Sequence, residues 1–450
     1  VALDSYGNMW QNDNDDQIMA CRTSFLQEGG NAGYFSADGT RFYQADRRPG
    51  QDLFTAQWHQ EDPGVMPAGD NTGAGSPTGV LVYEGDALGN AYRGLLLSCE
   101  AGRNVIYSYR PQPKGAGFEL NRRNLITTLP EDNVNYQWYE TGEDRRQWFR
   151  PSDIAAGTDG ALYIADWYDP IVGGHAMHDR KGYGRIYRIT KKGDSPVRPN
   201  IDLHTVEGPW QALLSPAVNV RYQGLKILQD KGDTVLEEAK RLLYVDNPYH
   251  RARGIWLMAH LGDKGRQTVQ QLVRRHPDPV FRLTAFRALR SVGEEAWKDL
   301  RELLARDPDP AIRRELAIAL RDIPLKDCLS LSVELVKNFD GQDPWYRTAL
   351  GQALEGEKAV AFYPELKKMF PGSSLDWPET MAALVFELHP KNAVEDLKRR
   401  AGAAVLKPAQ RSQAMTALAF VNDSAAVQAM LELSQSKLPD VASQAAYWLG

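Results

Sequence analysis

The rhythm of hydrophobic and polar positions changes once along this chain, near residue 209. Up to about residue 195 the apolar residues come in short runs broken by glycine-containing turns. The stretch 150–175, RPSDIAAGTDGALYIADWYDPIVGGH, shows the pattern most clearly. Gly157-Thr158-Asp159-Gly160 is turn chemistry, because Asp-Gly supplies the φ > 0 positions of a tight hairpin. The flanking runs 153–156 and 161–165 are predicted strands, with Leu162 and Ile164 sharing one face because strand side chains alternate. The pattern recurs. Gly94-Leu95-Leu96-Leu97-Ser98, then Gly102-Arg103 and an alternating run to Arg110, is echoed by 162–165, then Gly184-Arg185 and a run to Ile189. Strand, polar loop, Gly-Arg and strand, repeated, predict the four-stranded blades of a β-propeller. About three blades fit before residue 195, too few to close a ring, so a partial propeller is expected.

From residue 209 the period becomes helical. Prolines stand at 216, 248, 279, 310, 344, 378, 408 and 439, at intervals of 30 to 34. Arg follows three residues later in five units, as Arg251, Arg282, Arg313, Arg347 and Arg411. Seven residues beyond stand Met258, Leu289, Leu320, Leu354 and Leu418. Proline suits the first turn of a helix, where its missing N–H is unpaired anyway, and the later apolar residue falls on the buried stripe. A second amphipathic segment follows in each unit, as at 235–243. Paired helices at this period predict an α-solenoid of HEAT-like repeats, about eight helix-pair units with the last truncated. The repeated Arg is expected to be structural, laddering to neighbouring acids such as Asp278 or Asp309. The expected fold is thus a multidomain β + α chain: a propeller segment over residues 1–195, a linker over 196–208 and a solenoid over 209–450.

Length and composition narrow this only a little. A chain of 450 residues, 42% hydrophobic and 25% charged, can bury a substantial core and belongs to the ordinary globular class. No run approaches the roughly 18 apolar residues of a membrane span. A net charge of −5 gives no reason to expect nucleic acid. Cys21, Cys99 and Cys328 lie too far apart for a CxxC metal clip or a CxxCH haem attachment, and a Cys21–Cys99 disulfide and three free thiols both remain open. Both ends read as interior: Val1-Ala2-Leu3-Asp4 begins without a Met or a signal peptide, and the last helix runs out at Trp448-Leu449-Gly450. The chain is expected to be an internal piece of a longer protein.

Candidate chemistry gathers in the β region. Asn12, Asp13, Asn14, Asp15 and Asp16 form the densest set of hard oxygen ligands, the kind Ca²⁺ prefers, although an EF-hand is excluded by Ile18 and Ser24 at its Gly and Glu positions. A plain acidic turn is the competing reading. His59, with Glu61 and Asp62 beside it, is a candidate general base. His175 and His178 form an HxxH pair near Asp169 and Asp179. Arg150, before Pro151, could clamp a carboxylate bidentately. The loop with Asp166, Trp167, Tyr168 and Asp169 has the polar and aromatic mixture of a site mouth.

MWQNDNDDQ followed by Gly29-Gly30-Asn31-Ala32-Gly33-Tyr34 resembles a segment of the soluble quinoprotein glucose/sorbosone dehydrogenase propellers. RPSDIAAGTDGALYIAD resembles their final-blade stretch, where an arginine matching Arg150 touches pyrroloquinoline quinone (PQQ). Together with the repeats, WHQEDPGVMPAGD, GAGSPTG and RPSDIAAGTDGALYIADWYDPIVGGH resemble the membrane-bound dehydrogenases of the PVC-type haem-binding CxxCH proteins, which run propeller, HEAT repeats and cytochrome c domain. The resemblance implies an extracytoplasmic, periplasmic dehydrogenase oxidising a sugar or polyol and passing electrons to haem c in a domain outside this chain. PQQ would lie near Arg150, Arg103, Asp166, Trp167 and Asp169, Ca²⁺ on residues 12 to 16, with His59 as fallback base. Two departures stand out: Gly102 replaces the family's Lys before the Arg103-like position, and the acidic loop lacks the Gly-Pro carbonyls. The family's catalytic His falls in an earlier blade, outside this chain. The alternative is a non-catalytic propeller and HEAT scaffold that binds carbohydrate or a protein partner, with Trp167-Tyr168 as platform.

Overall fold

The computed structural model describes residues 1–15, 19–35, 47–48, 50–131, 144–172 and 182–450. Its β region consists of antiparallel meanders. Strands β1 (Ala2–Leu3), β2 (Met9–Asp13), β3 (Cys21–Leu26) and β4 (Asp70–Gly73) form the first sheet, in that order. The second runs β5 (Pro77–Tyr83), β6 (Leu95–Glu100), β7 (Val105–Tyr109), then β10 (Arg123–Thr127), with a small hairpin of β8 (Gln112–Lys114) and β9 (Gly117–Glu119) inserted. The third has β11 (Pro151–Ala156), β12 (Leu162–Asp166) and β13 (Arg185–Ile189).

The expected hairpin is present. Ala156 pairs with Leu162, and the Gly157–Gly160 turn closes through Gly160 N to Gly157 O, 3.0 Å, with Gly160 at φ +77°. Leu162 and Ile164 are buried together with Leu81, Leu97, Ile106, Phe149 and Ile154, so one apolar cluster joins the second and third sheets. Alternation fails in β6 and β7, which are buried along nearly their whole length because both faces are covered.

All eight repeat prolines stand at or just before a helix start, the eight helices being Val218–Asp230, Pro248–Ala259, Pro279–Val292, Pro310–Leu320, Pro344–Leu354, Glu379–Leu388, Pro408–Ala419 and Pro439–Leu449. The capping is local chemistry: Asn247, Asp278, Asp309 and Asp343 each accept a hydrogen bond from the amide two residues on, with Pro at the first helical position. Each such cap is worth about 1 kcal/mol.

The repeated arginine meets loop carbonyls in some units and an acid, as expected, in others. Arg282 Nη1 donates to the carbonyls of His276 and Pro277 at 3.0 and 3.1 Å, and Arg313 Nη1 to Asp307 and Pro308 at 2.5 and 3.0 Å. Asp309 is already engaged in capping, and the Arg313 guanidinium turns to the loop carbonyls before its own helix. Arg347 and Arg411 do reach acids, Glu387 at 3.0 Å and Asp440 at 2.5 Å.

The chain divides into two compact units that do not follow the change in secondary structure. One comprises Val1–Leu26, Ala68–Lys114 and Phe118–Leu300; the other comprises Gln27–Pro67, Gly115–Gly117 and Arg301–Gly450. The first unit therefore holds the three main sheets and the first helical repeats. The second holds the later repeats, in which the proline-initiated helices from Pro310 to Leu449 stack one on the next. Among the described residues, no helix is long and apolar enough to cross a membrane.

Candidate functional site

Strand register brings most of the expected residues to one end of the three sheets. Asp13 pairs with Arg22 beside Cys21 and Gly73; Pro77 pairs with Glu100, next to Val105; Pro151 pairs with Asp166, next to Arg185. Side chains stitch the sheets across β5. Asn12 Nδ2 donates to the carbonyls of Thr78 and Gly79 at 3.3 and 3.2 Å, and Thr78 Oγ1 donates to Pro151 O at 2.8 Å.

This stitching occupies the residues expected to hold calcium. Asn12 Oδ1 accepts from Thr23 and Ser98 at 3.0 Å each. Asp13 pairs with buried Arg22 at 2.6 Å. Asn14 accepts from Cys21 Sγ, 3.1 Å, and Asp15 Oδ2 accepts the Met19 and Ala20 amides at 2.9 and 2.8 Å. These oxygens already face protein donors, as an acidic turn's do. Asp16 lies outside the described residues, as do His175, His178 and Asp179. Among the described residues, no group of three or more His, Cys, Asp or Glu could hold a metal.

Arg150 has a comparable fate. It is 3% exposed. Its Nε donates to Asp169 O at 2.9 Å, Nη1 to Ala101 O and Gly102 O at 2.9 and 3.0 Å, and Nη2 to Pro170 O at 3.0 Å. The guanidinium ties the β6–β7 turn to the loop after β12, and these bonds occupy the forked donors a quinone carboxylate would need. Arg103, also buried, donates to Ala74 O at 2.7 Å. Asp169 accepts the Ile171 amide at 2.9 Å. The residues present therefore do not fit a PQQ clamp.

Glu100, at the end of an apolar run, carries no sequence signal of its own. Its fully buried carboxylate accepts the Ser76 amide and the Thr72 hydroxyl. Burial pushes its pKa up to about 7, against the lowering effects of the Ser76 amide and Arg103. GAGSPTG wraps around it: a Cβ on Gly75 would fall 2.5 Å from Oε1. That Gly-rich motif was the available signal, since it predicts a close backbone approach without saying to what.

The third sheet ends differently. Asp166 Oδ1 accepts the amides of Arg150 and Tyr168 at 2.8 and 2.9 Å, while Oδ2 is buried and, among the described residues, has no partner at full hydrogen-bond geometry, the Tyr187 hydroxyl being the side-chain donor that faces the carboxylate. Burial raises the Asp166 pKa, against the lowering effects of those two amides, of Arg185 and of the Tyr187 hydroxyl. Around it stand rings: Trp148 lies 5.7 Å from Tyr168, Tyr168 lies 6.4 Å from Tyr183, and Arg185 sits 4.1 Å over the Tyr168 ring. Tyr168 itself is held at φ +54°, a costly conformation for a bulky side chain. Asp166 and Tyr168 of the expected loop thus lie in an aromatic and acidic cluster, to which Trp148, Tyr183 and Arg185 come from outside the loop. Only the Gly184-Arg185 echo marked any of the three in the sequence.

His59, in the second unit, is buried at φ +48°, with Nδ1 2.6 Å from Gly33 O. All three cysteines are buried and free, so no Cys21–Cys99 bridge forms. In the first unit, an apolar cavity of about 260 Å³ is lined by Leu3, Leu213, Tyr222 and Trp256. Beside it Glu84 is held by Arg253 at 2.7 Å, by Arg221 and by Ser5. Burial opposes the Glu84 charge, but the two guanidiniums outweigh it and keep the pKa low.

Comparison with known proteins agrees with the helical region. Residues 236–321 match HEAT repeats, and the helical region is a HEAT-type solenoid. Residues 1–193 match a family described as a domain of unknown function, DUF7133. No curated protein matches. Human deoxyhypusine hydroxylase in complex with glycerol is similar at 16% identity over 54% of this chain and 94% of that one, TM-score 0.23. The Escherichia coli protein YibA is similar at 13% identity over 54% and 92%, TM-score 0.32.

Proposed function

We propose that this chain is a binding scaffold in which the β region takes a sugar or polyol and the HEAT repeats present a docking surface for protein. Under this reading the antiparallel meanders are blades of a propeller completed by further chain, as the sequence resemblance implies. The observation that carries it is the Trp148–Tyr168–Tyr183 ring cluster beside the Asp166 carboxylate, which commits only Oδ1 to backbone amides. Flat rings cover the apolar face of a pyranose, while a carboxylate oxygen accepts strongly from a hydroxyl. Calorimetric titration with a panel of sugars and polyols tests this. Tyr168→Ala and Asp166→Asn should each weaken the best ligand about tenfold, the loss typical of one buried contact. No heat from any member of the panel would remove the sugar reading.

A second reading, the periplasmic dehydrogenase relaying electrons to haem c, has one structural observation in its favour. Burial holds the Asp166 carboxyl above its ordinary pKa, which is how a general base is tuned towards neutrality. Dye reduction over the same panel, after addition of PQQ and Ca²⁺, separates the two. Turnover lost in Asp166→Asn supports the enzyme; sugar binding without cofactor binding supports the scaffold.

A further inference from the structure

The second unit holds a buried cation without a counter-charge. Arg400, in the helix Val394–Ala401, is 2% exposed. It donates through Nη1 to Ser374 O and lies 5.0 Å over the Trp377 ring. Among the described residues no carboxylate pairs with it. A buried guanidinium left this way is costly unless something anionic completes it. The buried arginines of the first unit have their forks filled: Arg150 by carbonyls, Arg22 by Asp13, Arg253 by Glu84.

Arg400 and Trp377 line a groove of about 730 Å³ that crosses three successive repeats. The starts of the helices Pro344–Leu354, Glu379–Leu388 and Pro408–Ala419 all contribute lining residues; Asp343 and Glu379 already meet the first two N-termini, so the third adds positive potential. Arg347, also in the wall, is neutralised by Glu387. Glu379 is the opposing charge, and Gln342 Nε2 donates to it at 3.2 Å. Lys407 is exposed at the rim and makes no ion pair among the described residues. Arg400 and Lys407 together outweigh Glu379. Gln410, whose Oε1 accepts the Lys407 amide at 3.1 Å, keeps its NH₂ available for a main-chain carbonyl.

We infer that this groove binds an extended acidic peptide, with one carboxylate seated on Arg400 and Trp377 and a second near Lys407. The span across three repeats favours a chain over a single small ion, and amide side chains beside cations suit a peptide backbone between its acidic groups. The inference does not depend on the sugar site, which lies in the other unit.

The test is fluorescence anisotropy of the full chain with a labelled Glu-Ser hexapeptide and its Gln-Ser twin, at low and moderate salt. The acidic peptide should bind about tenfold tighter than its twin and weaken as salt rises. Lys407→Glu, a surface change that leaves the core intact, should cost about tenfold, and Arg400→Gln at least as much. Lys192→Glu, an exposed change in the other unit, should cost nothing. Equal binding of the two peptides, or indifference to Lys407→Glu, would overturn the inference. So would inorganic phosphate displacing the peptide at equal molarity, since the groove would then be a simple anion site.

Discussion

Arg150 and Arg400 are both buried arginines at the ends of helices or strands, and they are used in opposite ways. Arg150 commits its donors to four main-chain carbonyls from two loops of the β region. Arg400 meets one carbonyl and one indole ring in the solenoid. A desolvated guanidinium is tolerated when its fork is filled, so the first arginine is a fastening and the second is a cation open to an anion. The sequence pointed to Arg150 as the ligand clamp and was silent on Arg400. Burial alone does not separate a structural cation from a functional one; the count of satisfied donors does.

The largest expected effect breaks the fastening. Arg150→Met would leave the carbonyls of Ala101, Gly102, Asp169 and Pro170 without a donor in a buried place. At roughly 1–3 kcal/mol for each buried group left unpaired, the first unit should lose about 4 kcal/mol or more. Urea unfolding followed by near-UV circular dichroism would register this. A loss below about 1 kcal/mol would mean that something other than these loops holds Arg150, and would restore it as a candidate clamp.

A second prediction concerns Glu100, an acid at the same end as Arg150. Its pKa is pushed from an unfolded value near 4.5 up to about 7 by burial. A carboxyl raised in the folded state contributes stability that is complete below the unfolded value and is lost as pH rises through the folded one. Stability should therefore fall between about pH 4.5 and pH 7, by at most roughly 3 kcal/mol from this group. Glu100→Gln keeps an acceptor for the Ser76 amide but cannot ionise. Its denaturation midpoints should differ less between pH 5 and pH 8 than those of the unmodified chain. An unchanged pH slope would show that Glu100 is not the titrating group.

How much was legible follows from the range of the interactions. The solenoid was readable because its code is local: Asp278-Pro279 and Asp309-Pro310 cap and start their helices within four residues. The hairpin at Gly157–Gly160 was readable for the same reason. Partners were not. Whether Arg313 meets Asp309 or a carbonyl depends on what the aspartate already does, and Asn12 looked like a calcium ligand because Ser98, whose hydroxyl donates to its Oδ1, lies 86 residues away. Glu100 was hidden inside the apolar run of β6, and Arg400 inside an ordinary basic helix end.

The smallest expected effect is the most discriminating, because it turns on sign. Arg400→Met removes a cation whose burial disfavours its charge, as its lowered pKa reflects. Methionine's flexible apolar chain can still pack on Trp377, so the substitution removes chiefly the hydrogen bond to Ser374 O. Losing that bond costs about 1 kcal/mol, and relief of the desolvated charge offsets a similar amount. The variant should hence stay within about 1 kcal/mol of the unmodified chain, in contrast to Arg150→Met, and binding of the acidic peptide should still fall about tenfold. A destabilisation near that of Arg150→Met would make Arg400 a second fastening, and the groove would lose its reason to bind an anion. Unchanged stability together with lost binding is the combination that only a cation held ready for a ligand produces.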